Sequence, residues 1–220
     1  MVKPVAYYTC MTVLSSQSLR FKREIYAMIE LLTANHYKKM PWKNGAGYTL
    51  ELARSAGESL TDFDWRISMA DVTTSGTFSQ FNGMQRFLTV LDGTGIHLNI
   101  DGVALTLKTL QSVQFSGDSL VSCNLLAEAI RDFNLIYSPQ HYTARYQWIE
   151  TSSALEFFSS ADVVFIFNQS ISTLELFVDG HHFRLEQHQS IYMHSNQNVK
   201  HLVFPTSPER QCCWIELSKI

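Results

Sequence analysis

Apolar and polar residues alternate along much of the chain after residue 48, which is the pattern of half-buried β-strands. The segment FDWRISM, residues 63–69, places four apolar side chains on one face and three polar side chains on the other: Phe63, Trp65, Ile67 and Met69 against Asp64, Arg66 and Ser68. The segment GIHLNIDG repeats this alternation and ends in Asp101-Gly102, a dipeptide typical of hairpin turns. These patterns predict a protein built mainly from short antiparallel strands.

The chain contains an internal repeat at an offset of 78 residues. The segment IDGVALTLKTLQSVQF, residues 100–115, aligns without a gap on VDGHHFRLEQHQSIYM, residues 178–193. Both contain the Asp-Gly turn, one shared leucine and a Gln-Ser pair, and most of their apolar positions correspond. Upstream, FLTVL (87–91) falls on FIFNQ (165–169). The repeat indicates two similar all-β units packed side by side.

Two small all-β units of this kind are expected to be jelly-roll barrels, since closing a sheet into a barrel protects its edges. The predicted organisation is an N-terminal extension at 1–27, a first unit at 28–137, a connection at 138–149 and a second unit at 150–220. Few short helices are expected, one of them a turn capped by Thr33. The fold class predicted is therefore all-β.

The first 27 residues carry a weak signal-peptide pattern, with an early lysine and a short apolar run that polar residues dilute. The alternative, which we favour, is that translation starts at Met28 and the preceding residues are a misassigned or disordered extension.

Composition excludes several classes of protein. A net charge of −3 without a basic run gives nucleic acid little to bind, and no apolar run approaches the roughly 20 residues of a membrane helix. The four cysteines show no metal-binding spacing and are expected to be free thiols in a reducing compartment: Cys10, Cys123, Cys212 and Cys213. We therefore expect a cytoplasmic protein with neither nucleic-acid nor membrane partners.

Four ordered segments resemble the signature blocks of the HutD/Ves family: MPWKNGAGYTLELA (40–53), FDWRISMADV (63–72), FSQFNGMQRFLTVLDGTG (78–95) and DFNLIYS (132–138). The resemblance runs from about Met28 to the C-terminus and implies a bicupin, two cupin barrels in one chain. HutD proteins are encoded with histidine-utilisation enzymes and are taken to modulate that pathway by binding a small metabolite. The chain departs from the family by lacking the arginines that usually follow residue 134, which leaves room for a different ligand.

Many cupins hold a divalent metal with two histidines and a glutamate, and the resemblance places Ser79, Phe81 and Arg86 at those positions. A hydroxyl, a phenyl ring and a guanidinium cannot replace that ligand set. Arginine presents a cationic fork that suits a carboxylate, so the first barrel is predicted to hold an anion and no metal or cofactor. The alternative is that Arg86 only pairs with an acidic neighbour. The histidines of the second unit are expected on its surface: His181, His182, His188, His194 and His201.

The candidate ligand-binding residues come from the family blocks. They are Trp42, Lys43, Asn44, Glu51, Arg66, Ser68, Phe81, Arg86 and Asn134. On a loop bounded by Gly45 and Gly47, Trp42 would form an apolar wall while Lys43 and Asn44 contribute a charge and an amide at the barrel mouth.

Four of the candidates each have two interpretations. Arg66 and Ser68 share a polar strand face, which either meets water or lines a polar cavity. Glu51 is either a general base or the ion-pair partner of a nearby cation. Asn134, like Asp132, either contacts a ligand or caps backbone groups.

The function expected from the resemblance is binding of a small carboxylate metabolite of histidine degradation, of the urocanate or formylglutamate class, with a regulatory rather than catalytic role. The first alternative is a metal-independent isomerase or hydrolase that uses Glu51 as base and Arg66 or Arg86 to hold the anion. The second is an interaction module with a vestigial pocket. A homodimer is left open by the sequence.

Overall fold

The computed structural model describes residues 29–42, 47–57, 62–194 and 198–220, and within these ranges it contains 19 strands and no helix. No helix in the described ranges is therefore long and apolar enough to cross a membrane. The strands are β1 (Ile29–Leu32), β2 (Lys38–Pro41), β3 (Gly47–Arg54), β4 (Trp65–Val72), β5 (Gly76–Thr77), β6 (Gln85–Asp92), β7 (Ile96–Ile100), β8 (Val103–Leu107), β9 (Ser112–Ser116), β10 (Val121–Leu125), β11 (Ile130–Tyr137), β12 (Tyr142–Glu150), β13 (Leu155–Ser159), β14 (Val163–Asn168), β15 (Leu174–Val178), β16 (His181–Leu185), β17 (Ser190–His194), β18 (Lys200–Phe204) and β19 (Gln211–Lys219).

The strands form two barrels, each made of one large and one small antiparallel sheet. In the first barrel the large sheet has the order β2-β3-β4-β11-β6-β9 and the small sheet the order β5-β10-β7-β8. In the second barrel the orders are β1-β17-β14-β19-β12 and β13-β18-β15-β16. The predicted all-β fold with two barrel units is confirmed.

The internal repeat is visible in the backbone. Strands β7, β8 and β9 correspond to β15, β16 and β17 at the predicted offset of 78. The hairpin residues Asp101 and Asp179 have φ angles of 50° and 49°, and Leu110 and His188 both have a φ of 62°. Such left-handed conformations are uncommon for these residue types, so their recurrence shows that both barrels use the same turns.

The large sheets of the two barrels pack against each other through their outer faces. On β4, Trp65, Ile67 and Met69 join this shared apolar cluster, together with residues of the second barrel such as Phe165 and Phe167. Since side chains alternate along a strand, the neighbouring residues of β4 point into the first barrel instead. The apolar face predicted from FDWRISM is therefore an interface between barrels at Trp65, Ile67 and Met69, whereas Phe63 precedes the strand and packs on Arg66 and Phe81.

Strand pairing divides the chain differently from the boundaries predicted. The segment expected to connect the units contains β12, which pairs with β19 along its whole length and belongs to the second barrel. Strand β1 also belongs to the second barrel, through its pairing with β17. Strand β1 has only four residues, whereas β12 alternates apolar Tyr142, Ala144, Tyr146 and Trp148 with polar residues, a strand signal that the prediction missed.

The helical turn predicted after Thr33 is wrong. Residues 34–36 form a turn in which the His36 amide donates to the Thr33 carbonyl at 2.9 Å, and β2 follows directly. Of the four cysteines, Cys123, Cys212 and Cys213 are free and buried. Cys10 and the extension predicted at residues 1–27 lie outside the described residues.

Candidate functional site

The interior of the first barrel combines an apolar half with a polar half. The apolar half includes Leu88, Val90, Ile96 and Leu98. The polar half lies on three adjacent strands, where Arg66 of β4 and Arg86 of β6 both pair in register with Ile136 of β11. Neighbouring strands are about 4.8 Å apart, so two arginines 20 positions apart in sequence lie on one face within about 10 Å.

Arg86 is held by a buried polar chain. Its Nε donates to Asn134 Oδ1 at 2.8 Å, and Asn134 Nδ2 donates to Asp132 Oδ1 at 2.7 Å. The guanidinium carbon also lies 4.8 Å from the ring centre of Phe78 and 5.5 Å from that of Phe115. Within the described part of the chain, Arg86 forms this one hydrogen bond, from Nε, and its Nη atoms form none.

Burial shifts the pKa values of the two charged groups in this hydrogen-bonded network. It lowers the pKa of Arg86 to about 10, which still leaves the guanidinium charged at neutral pH. Burial also raises the pKa of Asp132 from 3.8 to about 6, against the opposing effect of the Arg86 charge. The Asp132 side chain is 1% exposed, and its carboxylate is the main compensation for Arg86.

Replacing Asp132 by asparagine is expected to remove one component of the pH dependence of stability. Because the pKa is higher in the folded than in the unfolded protein, the folded state binds the extra proton between about pH 4 and 6. This contribution is present below the unfolded pKa and is lost as the pH rises through about 6. From pH 4 to 7, the free energy of unfolding of the wild type should fall by about 2–3 kcal/mol relative to Asp132→Asn.

Urea unfolding of both proteins at several pH values measures this difference, and other carboxylates cancel in the comparison. A constant difference between the two proteins across this range would contradict the assignment of Asp132 as a buried carboxyl with a raised pKa.

Arg66, also in the polar half, lies between two aromatic rings. Its guanidinium carbon lies 5.0 Å from the ring centre of Phe63 and 5.1 Å from that of Phe81. Its Nε is buried and has no hydrogen-bond partner among the described residues. Burial lowers the pKa of Arg66, and the nearby Glu51 carboxylate opposes this shift.

Glu51 lies on β3 and is 7% exposed. One of its oxygens, Oε2, is 3.9 Å from Arg54 Nη1 and has no hydrogen-bond partner in the described structure. This geometry agrees with the predicted ion-pair role of Glu51.

The charges around the site are coupled to one another. Glu51 Oε2 lies 3.9 Å from Arg54 Nη1, and the Glu51 charge also acts on Arg66. Asp132 is linked to Arg86 through Asn134, and its charge opposes the effect of burial on the Arg86 pKa. Low dielectric surroundings strengthen the interaction of such guanidinium groups with an anion.

The packing at the start of β3 explains why the predicted loop ends in a glycine, Gly47. A Cβ on Gly47 would lie 2.2 Å from the Asp71 carbonyl oxygen and 3.1 Å from the Trp42 ring, so this position excludes any side chain. Trp42 packs against the apolar core of the first barrel and donates from Nε1 to Thr49 Oγ1 at 2.9 Å. Lys43 and Asn44 lie outside the described residues, and their roles stay predictions.

The remaining candidates differ in their positions. Ser68 is 2% exposed and pairs in register with Asn134, so it faces the barrel interior with the arginines. Phe81 contacts Arg66, whereas Ser79 is exposed.

The sequence reasoning missed Arg54, Phe63, Phe78 and Phe115 as site residues. Phe78 also lines a surface cavity of about 550 Å³ next to the site.

The second barrel lacks this polar site. Strand pairing identifies the second-barrel positions equivalent to Arg86, Asn134 and Asp132. These positions hold Val164, Trp214 and Cys212, all buried in an apolar core. The fold itself therefore does not require charged residues at these interior positions.

The described residues contain no cluster of three or more His, Cys, Asp or Glu side chains arranged to hold a metal. His182 and His194 are exposed, as expected, and His181 and His201 are half-buried. His188 is half-buried as well, and its Nε2 atom is buried. Its position depends on contacts between barrels that the sequence does not reveal.

Two antiparallel jelly-roll barrels in one chain, the first with a charged interior, define a bicupin. The cupin 2 conserved barrel domain protein of Leptotrichia buccalis shares the fold, with a TM-score of 0.52 at 10% identity over 77% of this chain and 88% of that chain. The HutD family model matches residues 34–214, and the chain belongs to the HutD family.

Relatives with higher identity support this assignment. HutD from Pseudomonas fluorescens SBW25 has a TM-score of 0.76 and 42% identity, covering 87% of this chain and 99% of HutD. A conserved protein of unknown function from Pseudomonas aeruginosa PAO1 has a TM-score of 0.82 and 40% identity, covering 86% of this chain and 98% of that chain.

Two sequence relatives complete the comparison. An uncharacterized 21.2 kDa protein from the hutC 3' region of Pseudomonas putida is 50% identical over 145 residues, which are 66% of this chain and 75% of that protein. Protein Ves of Escherichia fergusonii is 41% identical over 104 residues, 45% of this chain and 54% of Ves.

Proposed function

We propose that this protein binds a small carboxylate metabolite of histidine degradation, of the urocanate or formylglutamate class, inside its first barrel. In this proposal the bound metabolite modulates histidine utilisation in the cytoplasm, without a metal and without turnover. The pathway rests on the family and on a relative named for its position beside hutC. The ligand class rests on the chemistry of the barrel interior.

The observation that carries the proposal is the pair of arginines on the interior face of the first barrel, of which Arg86 is buried and Arg66 is half-buried. Arg66 has an unpaired buried Nε, and Arg86 is anchored by one nitrogen only, so both guanidinium groups have donors left. A guanidinium fork binds a carboxylate through two charged hydrogen bonds. The flanking rings of Phe78 and Phe81 limit the access of water and offer flat apolar surfaces to the rest of a small ligand.

An enzymatic function is the second candidate, because Glu51 Oε2 is buried, unpaired and close to the arginines. A carboxylate in that position can accept a proton from a bound substrate. Its ion pair with Arg54 is an equally good reason for its presence.

Titration calorimetry with urocanate and N-formylglutamate, combined with assays of their turnover, separates these functions. We expect saturable binding of at least one of the two metabolites, with no loss of metabolite over hours. Consumption of either metabolite that Glu51→Gln abolishes would establish the enzyme instead. If neither metabolite binds or reacts, the proposed ligand class is wrong and an interaction module remains.

A further inference from the structure

Strand β8 forms an open edge of the first barrel. It lies at the end of the small sheet, paired with β7 on one side, and none of the other described strands pairs with it. Its five residues, VALTL, carry no charge. Ala104 and Thr106 are exposed, Leu105 is half-buried and Val103 is 67% exposed. An exposed, uncharged strand edge is a template on which another strand can pair.

The hairpin between β7 and β8 determines which backbone groups point away from β7. Asp101 and Gly102 form a two-residue loop with φ angles of 50° and 88°, so the flanking residues Ile100 and Val103 are a hydrogen-bonded pair. The Asp101 amide donates to the Leu120 carbonyl at 3.0 Å, on the opposite side of β7, as this alternation requires.

Two residues of β8 therefore have outward backbone groups. Hydrogen-bonded and non-hydrogen-bonded pairs alternate along the hairpin, so the N–H and C=O groups of Ala104 and Thr106 project away from β7. The pattern stops at Lys108, whose amide donates to Gln111 Oε1 at 2.9 Å and whose carbonyl accepts from the Gln111 amide at 3.0 Å. Pairing with another strand is thus possible over a short, defined segment.

The outward groups are self-complementary. In an antiparallel pair of two β8 strands centred on Leu105, Ala104 of one copy lies opposite Thr106 of the other and exchanges two backbone hydrogen bonds with it. The twofold axis repeats this exchange, so four hydrogen bonds use all the outward groups. Leu105 then packs against its own counterpart, and the exposed Val103 lies opposite Leu107 of the second copy.

The charges at the two ends of β8 fit the same register. Asp101 precedes the strand, Lys108 follows it, and both are exposed. Antiparallel pairing places Lys108 of one copy beside the Asp101-Gly102 turn of the other, and it does so at both ends of the pair. Opposite charges in these positions favour this register over a shifted one.

The equivalent edge in the second barrel is protected against such pairing. Strand β16 ends its small sheet as β8 does, and the offset of 78 places His182 at the position of Ala104 and Arg184 at that of Thr106. In a pair of β16 strands, Arg184 of one copy would face His182 of the other. Large or charged side chains on an edge strand oppose pairing, and β8 lacks them although it is the same strand of the same fold.

We propose that the protein forms a twofold-symmetric dimer in which β8 pairs antiparallel with β8 of a second copy. The pairing joins two four-stranded small sheets into one continuous eight-stranded sheet. The contact is small, so the expected Kd is on the order of 10 μM. Arg66 and Arg86 lie on the large sheet, so the dimer does not depend on the ligand proposed for the first barrel.

Sedimentation equilibrium tests the proposal. Between about 1 and 300 μM, the average mass of the wild type should rise from that of one chain towards that of two. Ala104→Pro removes an outward N–H and leaves the bonds to β7 intact, because an edge strand tolerates proline where the N–H faces solvent. This variant should dimerise about tenfold or more weakly. His182→Pro removes the equivalent N–H of β16 and should dimerise as the wild type does.

A cysteine at the twofold axis provides a second test. Opposed residues of a non-hydrogen-bonded antiparallel pair have Cα atoms about 4.5 Å apart, within the range of a disulfide. Oxidised Leu105→Cys should therefore form a covalent dimer on a non-reducing gel. Phe183→Cys, at the equivalent position of β16, should cross-link no more than the wild type, which accounts for the native cysteines.

Three results would overturn the proposal: a wild type that stays monomeric at about 300 μM, unchanged dimerisation of a folded Ala104→Pro protein, or equal cross-linking of the two cysteine variants. Circular dichroism and urea unfolding establish that each variant is folded. If Ala104→Pro fails to fold, the cross-linking of Leu105→Cys still decides between pairing through β8 and another interface.

Discussion

Replacing Arg86 by alanine is expected to weaken the binding of N-formylglutamate by roughly ten- to hundredfold, which corresponds to about 1.5–3 kcal/mol for one charged hydrogen-bond donor. The side chain is 7% exposed, so a ligand bound to it would also be removed from water. Burial strengthens the attraction between guanidinium and carboxylate, and the loss is therefore larger than for a surface arginine. Calorimetry on the purified variant measures the change.

The second barrel provides the matched control for this experiment. Arg145 of β12 pairs in register with Glu216, as Arg66 of β4 pairs with Ile136, so it is the second-barrel counterpart of Arg66. Its side chain is half exposed and lies 3.4 Å from Glu216, and Arg145→Ala should leave the affinity unchanged. Equal affinities in the Arg86 and Arg145 variants would show that the anion binds elsewhere.

Loss of Arg86 also leaves the Asp132 carboxylate buried without its cation, and this cost could impair folding. Arg86→Lys keeps the charge and removes the planar fork, so the fold is maintained while the two-point hydrogen bonding to a carboxylate is lost. Weaker binding in a stably folded Arg86→Lys protein separates a ligand contact from a purely structural ion pair.

Replacing Phe133 by alanine is expected to destabilise the protein by about 3–5 kcal/mol, a large part of the stability of a domain. Phe133 is fully buried between the barrels, with its ring centre 4.8 Å from that of Phe167 and 6.1 Å from that of Trp148. Removing the ring leaves a cavity in the apolar cluster that both large sheets share, and strands on both sides resist its collapse.

Urea unfolding followed by tryptophan fluorescence measures this destabilisation. Phe158→Ala is the matched control, since Phe158 is 67% exposed on the second barrel and its removal should change the free energy of unfolding by no more than about 0.5 kcal/mol. Similar values for the two variants would contradict an interface core between the barrels. Two separate transitions in Phe133→Ala would show that the barrels can unfold one after the other.

Local sequence patterns were sufficient to predict the strands and the duplication. A hairpin turn depends on a few adjacent residues, and Asp101-Gly102 and Asp179-Gly180 carry that information themselves. Alternation also predicted the division of β4 into two faces, because side-chain direction follows from position along a strand. The candidate status of Arg86 came from its place in a family block, which does not depend on knowing its contacts.

Tertiary structure alone decided what each face meets. The alternation in FDWRISM is the same whether its apolar face covers a barrel core or, as here, a second barrel, and whether Arg66 faces water or the interior. The placement of β1 and β12 in the second barrel likewise depends on pairing with strands far away in the chain.

The sequence by itself thus determined the all-β class, the two-fold repeat and the family, because these follow from local geometry and from ordered motifs. It did not determine that Arg66 and Arg86 lie on one interior face of the first barrel, or that His188 lies in a cleft between the barrels. Those features arise from strand register and from packing between residues that are distant in the chain. The free energy of such contacts depends on the burial and the neighbours that only the folded protein supplies.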